Sequence, residues 1–255
     1  MEPIIEVQNV SYSYGGEIVA LENVSIKVPK GSVTVILGPN GSGKTTLLLI
    51  CAGLLRPQKG KVLFEGEDIF TSSRNVRSEI GIVFQDPDDQ LFNLTVYEEI
   101  SFGLKQLGFS REAIRKRVEE IARKLAIMHL LNRNPFKLSY GEKKLVVLAS
   151  ILATNPEVLI LDEPTANLSN YYREKITEII REYKKVEKTT IIATHDEIFG
   201  LENADHLYLL NSGRIVAGGS VVDILREPDI LEEVGMSHPK KILEKLRRIL
   251  NIVDT

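Results

Sequence analysis

The stretch GPNGSGKT at Gly38–Thr45 matches the phosphate-loop pattern G-x-x-x-x-G-K-[ST] at every fixed position. It follows the strand-like run Val33–Leu37 and precedes the apolar, helix-like run Leu47–Ile50, which is the context that the pattern requires. The glycines let backbone N–H groups turn inward around phosphate oxygens, while Lys44 adds a positive charge and Thr45 offers a hydroxyl to Mg²⁺. The residues predicted to contact a nucleotide here are Gly38, Pro39, Asn40, Gly41, Ser42, Gly43, Lys44, Thr45 and Thr46.

The bulk composition narrows the function classes. The chain has 255 residues, 43% of them hydrophobic, and a net charge of −3, so it has no overall electrostatic attraction to nucleic acid. Its longest apolar stretches, Leu47–Leu55 and Leu145–Ala153, are shorter than the roughly 18–20 residues that cross a bilayer. The single cysteine, Cys51, excludes an internal disulfide and is predicted to be a buried structural thiol. We therefore expect a soluble, cytoplasmic chain that would serve a membrane only through another chain.

Hydrophobic periodicity predicts an α/β fold. Alternating or fully apolar runs predict strands at Ile4–Val10, Val24–Val28, Val33–Leu37, Lys61–Phe64, Gly81–Phe84, Val158–Leu161 and Thr190–Thr194. Apolar spacings of three and four predict helices at Thr95–Leu107, Arg111–Ile127, with Ser110 as N-cap, and Tyr171–Lys184. Buried strands separated by helices indicate a parallel sheet covered on both faces.

The same periodicity predicts the domain organisation. The first two strands form an N-terminal antiparallel β region, and the helical stretch 86–156 is an insertion into a domain that spans 1–235. Residues 236–255 form an amphipathic helical tail with a lysine- and arginine-rich face. The tail either packs on its own domain or contacts a partner.

Two adjacent carboxylates supply the second nucleotide signal. The apolar strand Val158–Leu161 leads directly into Asp162 and Glu163. Asp162 has the chemistry to hold a Mg²⁺ that bridges the β- and γ-phosphates, and Glu163 to act as general base on the attacking water. A charged turn after a strand is common by itself, but beside an intact phosphate loop the catalytic interpretation is favoured.

The run Leu138–Glu142, LSYGE, lies shortly before this carboxylate pair and resembles the LSGGQ signature of ATP-binding cassette (ABC) ATPases. It keeps the leucine, the serine (Ser139) and the second glycine (Gly141), whereas Tyr140 replaces a glycine and Glu142 replaces the glutamine. A serine before a helix start also fits an ordinary N-cap, and in this family the two roles coincide. The resemblance implies that Ser139, Gly141 and Glu142 contact a nucleotide held by a second chain.

Further family positions match in the expected order. Gln85 corresponds to the glutamine that contacts Mg²⁺ and water, and His195 to the histidine that contacts the γ-phosphate. Tyr14 corresponds to the aromatic residue that stacks on adenine, with Tyr12 as the competing candidate. No Asn-Lys-x-Asp guanine-reading motif occurs, which favours ATP. One departure is Ser169, which stands where the family usually has an aspartate that communicates across the dimer.

The segment Phe84–Phe92, FQDPDDQLF, resembles the Q-loop of energy-coupling-factor importers, which take up cobalt, nickel or vitamins. The resemblance implies that Leu91 and Phe92 dock an integral-membrane coupling subunit, although they could instead cover the core of the insertion.

The combined expectation is an ABC ATPase with a P-loop parallel-sheet core and an inserted α-helical subdomain. It would bind ATP and Mg²⁺, the latter through Thr45, Gln85 and Asp162, dimerise with a second ABC chain, and power an importer from the inner face of the membrane. A soluble ABC ATPase and a regulatory cassette are the alternatives. Lys44 and Ser139 are 95 residues apart (139 − 44) with no heptad run between them, which disfavours the coiled-coil type of soluble ATPase.

Overall fold

The computed structural model describes residues 2–72 and 76–226. The chain divides into two compact units, one drawn from the chain up to Val76 and from Glu182 onward, the other formed by Arg77–Arg181. The predicted tail at 236–255 lies outside the described residues.

Ten strands and seven helices occur within the described residues. In chain order the strands are β1 (Pro3–Tyr14), β2 (Ile18–Pro29), β3 (Val33–Leu37), β4 (Lys59–Phe64), β5 (Glu67–Asp68), β6 (Ile80–Val83), β7 (Val158–Asp162), β8 (Thr189–Thr194), β9 (His206–Asn211) and β10 (Arg214–Gly219). The helices are α1 (Lys44–Cys51), α2 (Val96–Gln106), α3 (Arg111–Lys124), α4 (Tyr140–Ala153), α5 (Asn170–Lys185), α6 (Glu197–Asn203) and α7 (Val221–Leu225).

The first unit contains an antiparallel sheet with the strand order β2-β1-β4-β5. Val7 of β1 lies opposite Ile26 of β2 on one side and Val62 of β4 on the other, and all three side chains are buried. One face of the sheet is thus apolar, as the alternation of the sequence predicts. The predicted N-terminal antiparallel region is confirmed, with strands several residues longer than expected.

The first unit also contains the strands of the phosphate-loop core. β3 is parallel to both β8 and β9, and β10 pairs antiparallel with β9. Every residue of β3 and of β8 is buried, which is typical of strands covered on both faces. The Tyr208 hydroxyl of β9 accepts a hydrogen bond from the Lys27 N–H (2.9 Å) and donates one to the Lys27 carbonyl (3.0 Å), so β2 and β9 are tied together. On α1, Cys51 is fully buried as predicted, and this burial raises the pKa of its thiol to about 12.

The second unit combines two parallel strands, β6 and β7, with the helices α2, α3 and α4 and the start of α5. A capping box of Thr95 and Glu98 begins α2, and the Ser110 hydroxyl accepts from the Ala113 N–H at the start of α3, as the sequence predicts. Helix α3 ends at Lys124, three residues earlier than predicted, because Ala126 adopts a left-handed conformation with φ 59°.

The compact unit is larger than the predicted insertion at 86–156, since it also contains β6 and β7. In the part of the chain that the structure describes, no helix combines the length and the apolar composition that a membrane span needs.

Candidate nucleotide site

The phosphate loop leaves the carboxyl end of β3 in the first unit. Leu37, the last residue of β3, lies beside Thr194 of β8, and the Gly38 N–H donates to the Thr194 carbonyl at 3.4 Å. His195 follows Thr194 directly and is exposed. The fold therefore brings the phosphate loop and the predicted γ-phosphate histidine to the same sheet edge, where ligands bind in open α/β sheets.

Glycine is required at the end of the loop. Gly43 has a φ of 103°, and a Cβ atom on it would lie 2.4 Å from the Ala20 carbonyl oxygen. Gly43 is the N-cap residue of α1, and no described side chain caps this helix end. An N-terminus of a helix without a side-chain cap, preceded by a glycine-rich loop, is the arrangement that suits a phosphate.

Two polar side chains within the loop also fit a phosphate ligand. Lys44 is buried, and its Nζ donates to the carbonyl oxygens of Gly38 (2.8 Å) and Pro39 (3.1 Å). Within the described residues the buried Ser42 Oγ makes no hydrogen bond. Because a buried hydroxyl without a partner costs free energy, Ser42 is a natural contact for a phosphate oxygen. The residues present thus fit the triphosphate that the sequence motif implies.

Tyr14 lies at the end of β1, next to the start of α1. Its hydroxyl is 3.2 Å from the Thr46 hydroxyl, and 43% of the residue is exposed. The competing Tyr12 is less exposed and meets the Tyr14 ring edge-on, with 5.0 Å between the ring centroids. The exposure of Tyr14 beside the phosphate loop supports it as the stacking residue, which stays a prediction.

In the second unit, the carboxylate pair and Gln85 share one sheet edge. Val83, the last residue of β6, lies beside Leu161 of β7, so Gln85 and Asp162 both follow at the carboxyl end. Asp162 and Glu163 are only 3% and 5% exposed. Glu163 has a φ of 42°, a conformation that few residues other than glycine adopt and that often marks functional sites.

The described residues contain no cluster of three or more His, Cys, Asp or Glu side chains that could hold a metal by themselves. Mg²⁺ usually takes only one or two protein carboxylates and completes its shell with water and phosphate oxygens. The single carboxylate of Asp162 is compatible with that mode, and the assignment of Thr45, Gln85 and Asp162 as ligands stays a prediction.

The predicted signature starts helix α4 with a complete capping box. The Ser139 N–H and hydroxyl both donate to Glu142 Oε2 at 2.8 Å, and the Glu142 N–H returns a bond of 3.4 Å to the Ser139 Oγ. Two hydrogen bonds from Ser139 lower the pKa of Glu142, and the bond from the hydroxyl has a larger effect than the bond from the backbone N–H. This carboxylate is therefore anionic at neutral pH. A Cβ atom on Gly141 would lie 2.3 Å from the Tyr172 ring of α5, which explains a glycine there.

The family follows from comparison with known proteins. The sequence profile of the ABC transporter family matches residues 21–166, more than half of the chain. The chain belongs to the ABC transporter family. It is 41% identical over 248 residues to the energy-coupling factor transporter ATP-binding protein EcfA1 of Methanospirillum hungatei, an alignment that covers 96% of this chain and 90% of the relative.

Solved structures of ABC cassettes have the same fold. The cbiO1 structure from Clostridium perfringens, described as part of the ABC transporter complex cbiONQ, has a TM-score of 0.79 and 35% identity, covering 96% of this chain and 99% of that one. A dimeric structure of the cassette MJ0796 has a TM-score of 0.79 and 29% identity, covering 85% and 98% of the respective chains. The predicted ABC ATPase fold and the energy-coupling-factor type are therefore confirmed, and with them the assignment as an ATPase.

One prediction within the ABC-type Q-loop is wrong. Leu91 is only 5% exposed and lies in the core, so it does not offer its side chain to a partner. Phe92 is 59% exposed and packs edge-on against Phe102, with 4.8 Å between ring centroids. The buried Glu99 accepts hydrogen bonds from the N–H groups of Phe92 (3.1 Å) and Asn93 (2.9 Å), which fixes this loop.

Sequence reasoning missed the side chains that hold the Q-loop backbone. The Gln90 amide accepts from the Phe84 N–H (2.7 Å) and donates to the Ile82 carbonyl (3.0 Å). Lys144 is buried and donates to Q-loop carbonyl groups. One sequence feature could have indicated the role of Lys144: it lies directly before the apolar run Leu145–Ala153. A charged side chain that is buried with such a run needs a hydrogen-bond partner in the core.

Proposed function

We propose that this chain binds and hydrolyses ATP as one of two ABC subunits that drive a membrane importer. The observation that carries hydrolysis, rather than binding alone, is the buried pair Asp162 and Glu163 at the sheet edge shared with Gln85. A regulatory cassette would not need a base at the place where Glu163 stands.

The phosphate loop would bind the triphosphate through its backbone N–H groups, the Ser42 hydroxyl and the Lys44 ammonium. Lys44 would exchange its contacts with the Gly38 and Pro39 carbonyls for β- and γ-phosphate oxygens. Tyr14 would stack on the adenine. None of these contacts needs a second chain, so nucleotide binding should occur in the monomer.

Mg²⁺, when bound, would neutralise charge on the β- and γ-phosphates. Thr45, Gln85 and Asp162 are the residues that we assign to hold it. Glu163 would accept the proton of the attacking water. His195 would hold the γ-phosphate. Ser139 and Gly141, followed by Glu142, would close over the nucleotide from a second ABC chain.

The importer role is supported by the relatives, whose names describe ATP-binding proteins of energy-coupling factor transporters, and by cbiO1, described as part of a transporter complex. We propose that the integral-membrane coupling subunit docks on the exposed pair Phe92 and Phe102, at the inner face of the membrane. Cobalt, nickel or a vitamin would be the solute, and no nucleic acid is involved.

The test is an ATPase assay on Glu163→Gln. We expect a loss of about 100- to 1,000-fold in turnover because the general base is removed, while ATP binding is retained. Glu112→Gln is the matched control, since the Glu112 side chain is 70% exposed on α3. The turnover of this variant should equal that of the wild type. Equal hydrolysis by wild type and Glu163→Gln would disprove the assignment.

The regulatory alternative is kept open by Ser169, which replaces the usual aspartate and is exposed at the start of α5. A wild-type chain that binds ATP but never turns over, also when it is co-expressed with its membrane partner, would support that alternative.

A further inference from the structure

The first turn of the signature helix α4 is attached to the Q-loop by direct contacts within the second unit. The Tyr140 hydroxyl donates to the Gln85 carbonyl at 2.9 Å. The Lys144 Nζ donates to the carbonyl oxygens of Phe84 (2.7 Å) and Gln85 (2.8 Å). Two side chains of one helical turn thus converge on the backbone of the residue that the family uses at its metal ion.

Lys144 is a charged residue in a buried position. It is 2% exposed, and two backbone carbonyls are the hydrogen-bond acceptors of its ammonium group. Burial lowers the pKa of Lys144 to about 8, although the nearby carboxylates of Asp162, Asp86 and Glu163 oppose this shift. A buried ammonium is costly, and an apolar side chain of similar volume would serve packing alone at least as well.

We propose that Lys144 and Tyr140 are positioning residues that couple the signature motif to Gln85 within one chain. The inference rests on the proposed ATPase function of the site. The two side chains fix the Gln85 backbone, and thereby the direction of the Gln85 amide, relative to Asp162 and Glu163. Because both anchors lie on the helix that begins at Ser139, a phosphate that binds at Ser139 shifts the helix and Gln85 together.

The same turn contains its own control. Lys143 forms an ion pair with Asp88 (2.7 Å), in which the Lys143 side chain is 14% and the Asp88 side chain 50% exposed, and the hydrogen bonds described for the Lys143 ammonium both go to Asp88. Lys143→Met therefore removes a charge from the same turn without loosening Gln85.

The experiment compares Tyr140→Phe, Lys144→Met and Lys143→Met in the full chain. We expect the kcat for ATP hydrolysis to fall about 3- to 10-fold in Tyr140→Phe, which loses one hydrogen bond to Gln85, and about 10- to 100-fold in Lys144→Met, which loses one to Phe84 and one to Gln85. ATP affinity measured calorimetrically without Mg²⁺ should stay within about twofold, because the phosphate loop is unchanged. The Mg²⁺ concentration that gives a half-maximal effect on ATP binding should rise in Tyr140→Phe and in Lys144→Met. The control Lys143→Met should match the wild type in all of these measurements.

A Gln85→Ala background separates positioning from a merely structural role. If Tyr140 acts through the Gln85 side chain, Tyr140→Phe should cause no further change in the Mg²⁺ midpoint or in turnover on that background. A shift of the same size on both backgrounds would overturn the proposal. The thermal midpoint of Lys144→Met should fall, because the Phe84 and Gln85 carbonyls lose a donor, so turnover is compared well below that midpoint. If Lys144→Met does not fold, Tyr140→Phe still decides, since it removes one surface hydroxyl.

The outcomes also distinguish this inference from the proposed function. A wild-type chain without ATPase activity would remove the proposed function itself. Suppose instead that the wild type hydrolyses ATP, that Gln85→Ala is impaired, and that Tyr140→Phe and Lys144→Met are not. This result would disprove only the coupling role of Tyr140 and Lys144.

Discussion

The phosphate loop of the first unit and the signature turn of the second unit are held in place by different kinds of contact. The loop is shaped by backbone geometry, with Gly43 at φ 103° and the Lys44 ammonium bonded to carbonyl groups of the loop itself. The signature turn is shaped by side chains, namely the capping box of Ser139 and Glu142 and the hydroxyl of Tyr140.

This difference follows the sequence. Every fixed position of the phosphate-loop pattern is kept, whereas the signature turn carries Tyr140 and Glu142 in place of the family's glycine and glutamine. The backbone cradle tolerates few substitutions because Cβ atoms on Gly38 and Gly43 would lie 2.1 and 2.4 Å from backbone carbonyl oxygens. Side-chain contacts can be exchanged for others of similar energy. We therefore expect substitutions in the loop to abolish binding, and substitutions in the signature turn to tune turnover and dimer closure.

The largest effect should come from Gly43→Ala. The new Cβ would lie 2.4 Å from the Ala20 carbonyl oxygen, so the loop must shift, and we expect ATP affinity to fall at least about 100-fold. Equilibrium binding of ATP to the purified chain is the measurement.

Gly66→Ala is the matched control for Gly43→Ala, because Gly66 also has a positive φ of 86° but has no atom within 4 Å of an added Cβ. It should lose about 1 kcal/mol of stability from backbone strain and keep full ATP affinity. Wild-type ATP affinity in Gly43→Ala would refute a backbone-determined loop.

A smaller effect, in the opposite direction, is expected for Glu142→Gln. Glutamine keeps the capping box but removes a negative charge from the place where Ser139 is proposed to meet the γ-phosphate of a second chain. A like-charge repulsion of about 1 kcal/mol at a solvated surface corresponds to roughly a fivefold tighter ATP-dependent dimer.

Dimer formation by Glu142→Gln is best measured by analytical ultracentrifugation with ATP in the Glu163→Gln background, where hydrolysis is suppressed. The gain should shrink as salt is raised from about 0.1 to 0.5 M, because salt screens exposed charges. Glu112→Gln, which removes a charge far from the signature turn in sequence, should leave the dimer constant unchanged. A weaker dimer in Glu142→Gln would contradict the proposed position of the phosphate.

The two regions also differ in how far the sequence predicts them. The glycines at 41 and 43 encode the loop conformation locally, so the pattern alone located the loop between β3 and α1. Gln85 and the carboxylates were located equally well, because they directly follow strands whose apolar runs are visible. The roles of these individual residues stay predictions.

The contacts that hold the signature turn were not visible in the sequence. Tyr140 and Gln85 are 55 residues apart, and Lys144 and Phe84 are 60 apart, so their contacts depend on how β6 and α4 are brought together. Leu91 was misjudged for the same reason, since only the tertiary structure shows that it points into the core. Helix α3 ends earlier than predicted because Ala126 adopts a left-handed conformation. Alanine has a high helix propensity, so the sequence does not predict a helix end at this position.

The smallest expected effect concerns the pH dependence of the capping box. Hydrogen bonds from Ser139 lower the pKa of Glu142 in the folded chain, so its contribution to stability is fully present above the unfolded pKa of about 4.3. The contribution is lost as the pH falls through the lower, folded pKa. Since the pair lies at the surface, we expect at most about 1 kcal/mol.

Urea unfolding of wild type and Glu142→Gln between pH 6 and about pH 3 tests this sign. The stability of the wild type relative to the variant should be constant above about pH 5 and should decrease below it. In a Ser139→Ala background the decrease should become smaller, because the side-chain hydrogen bond that lowers the pKa of Glu142 most is gone, while the backbone N–H donor at position 139 remains. A difference that grows as the pH falls would mean that the signature turn, like the phosphate loop, is held by its backbone and not by this carboxylate.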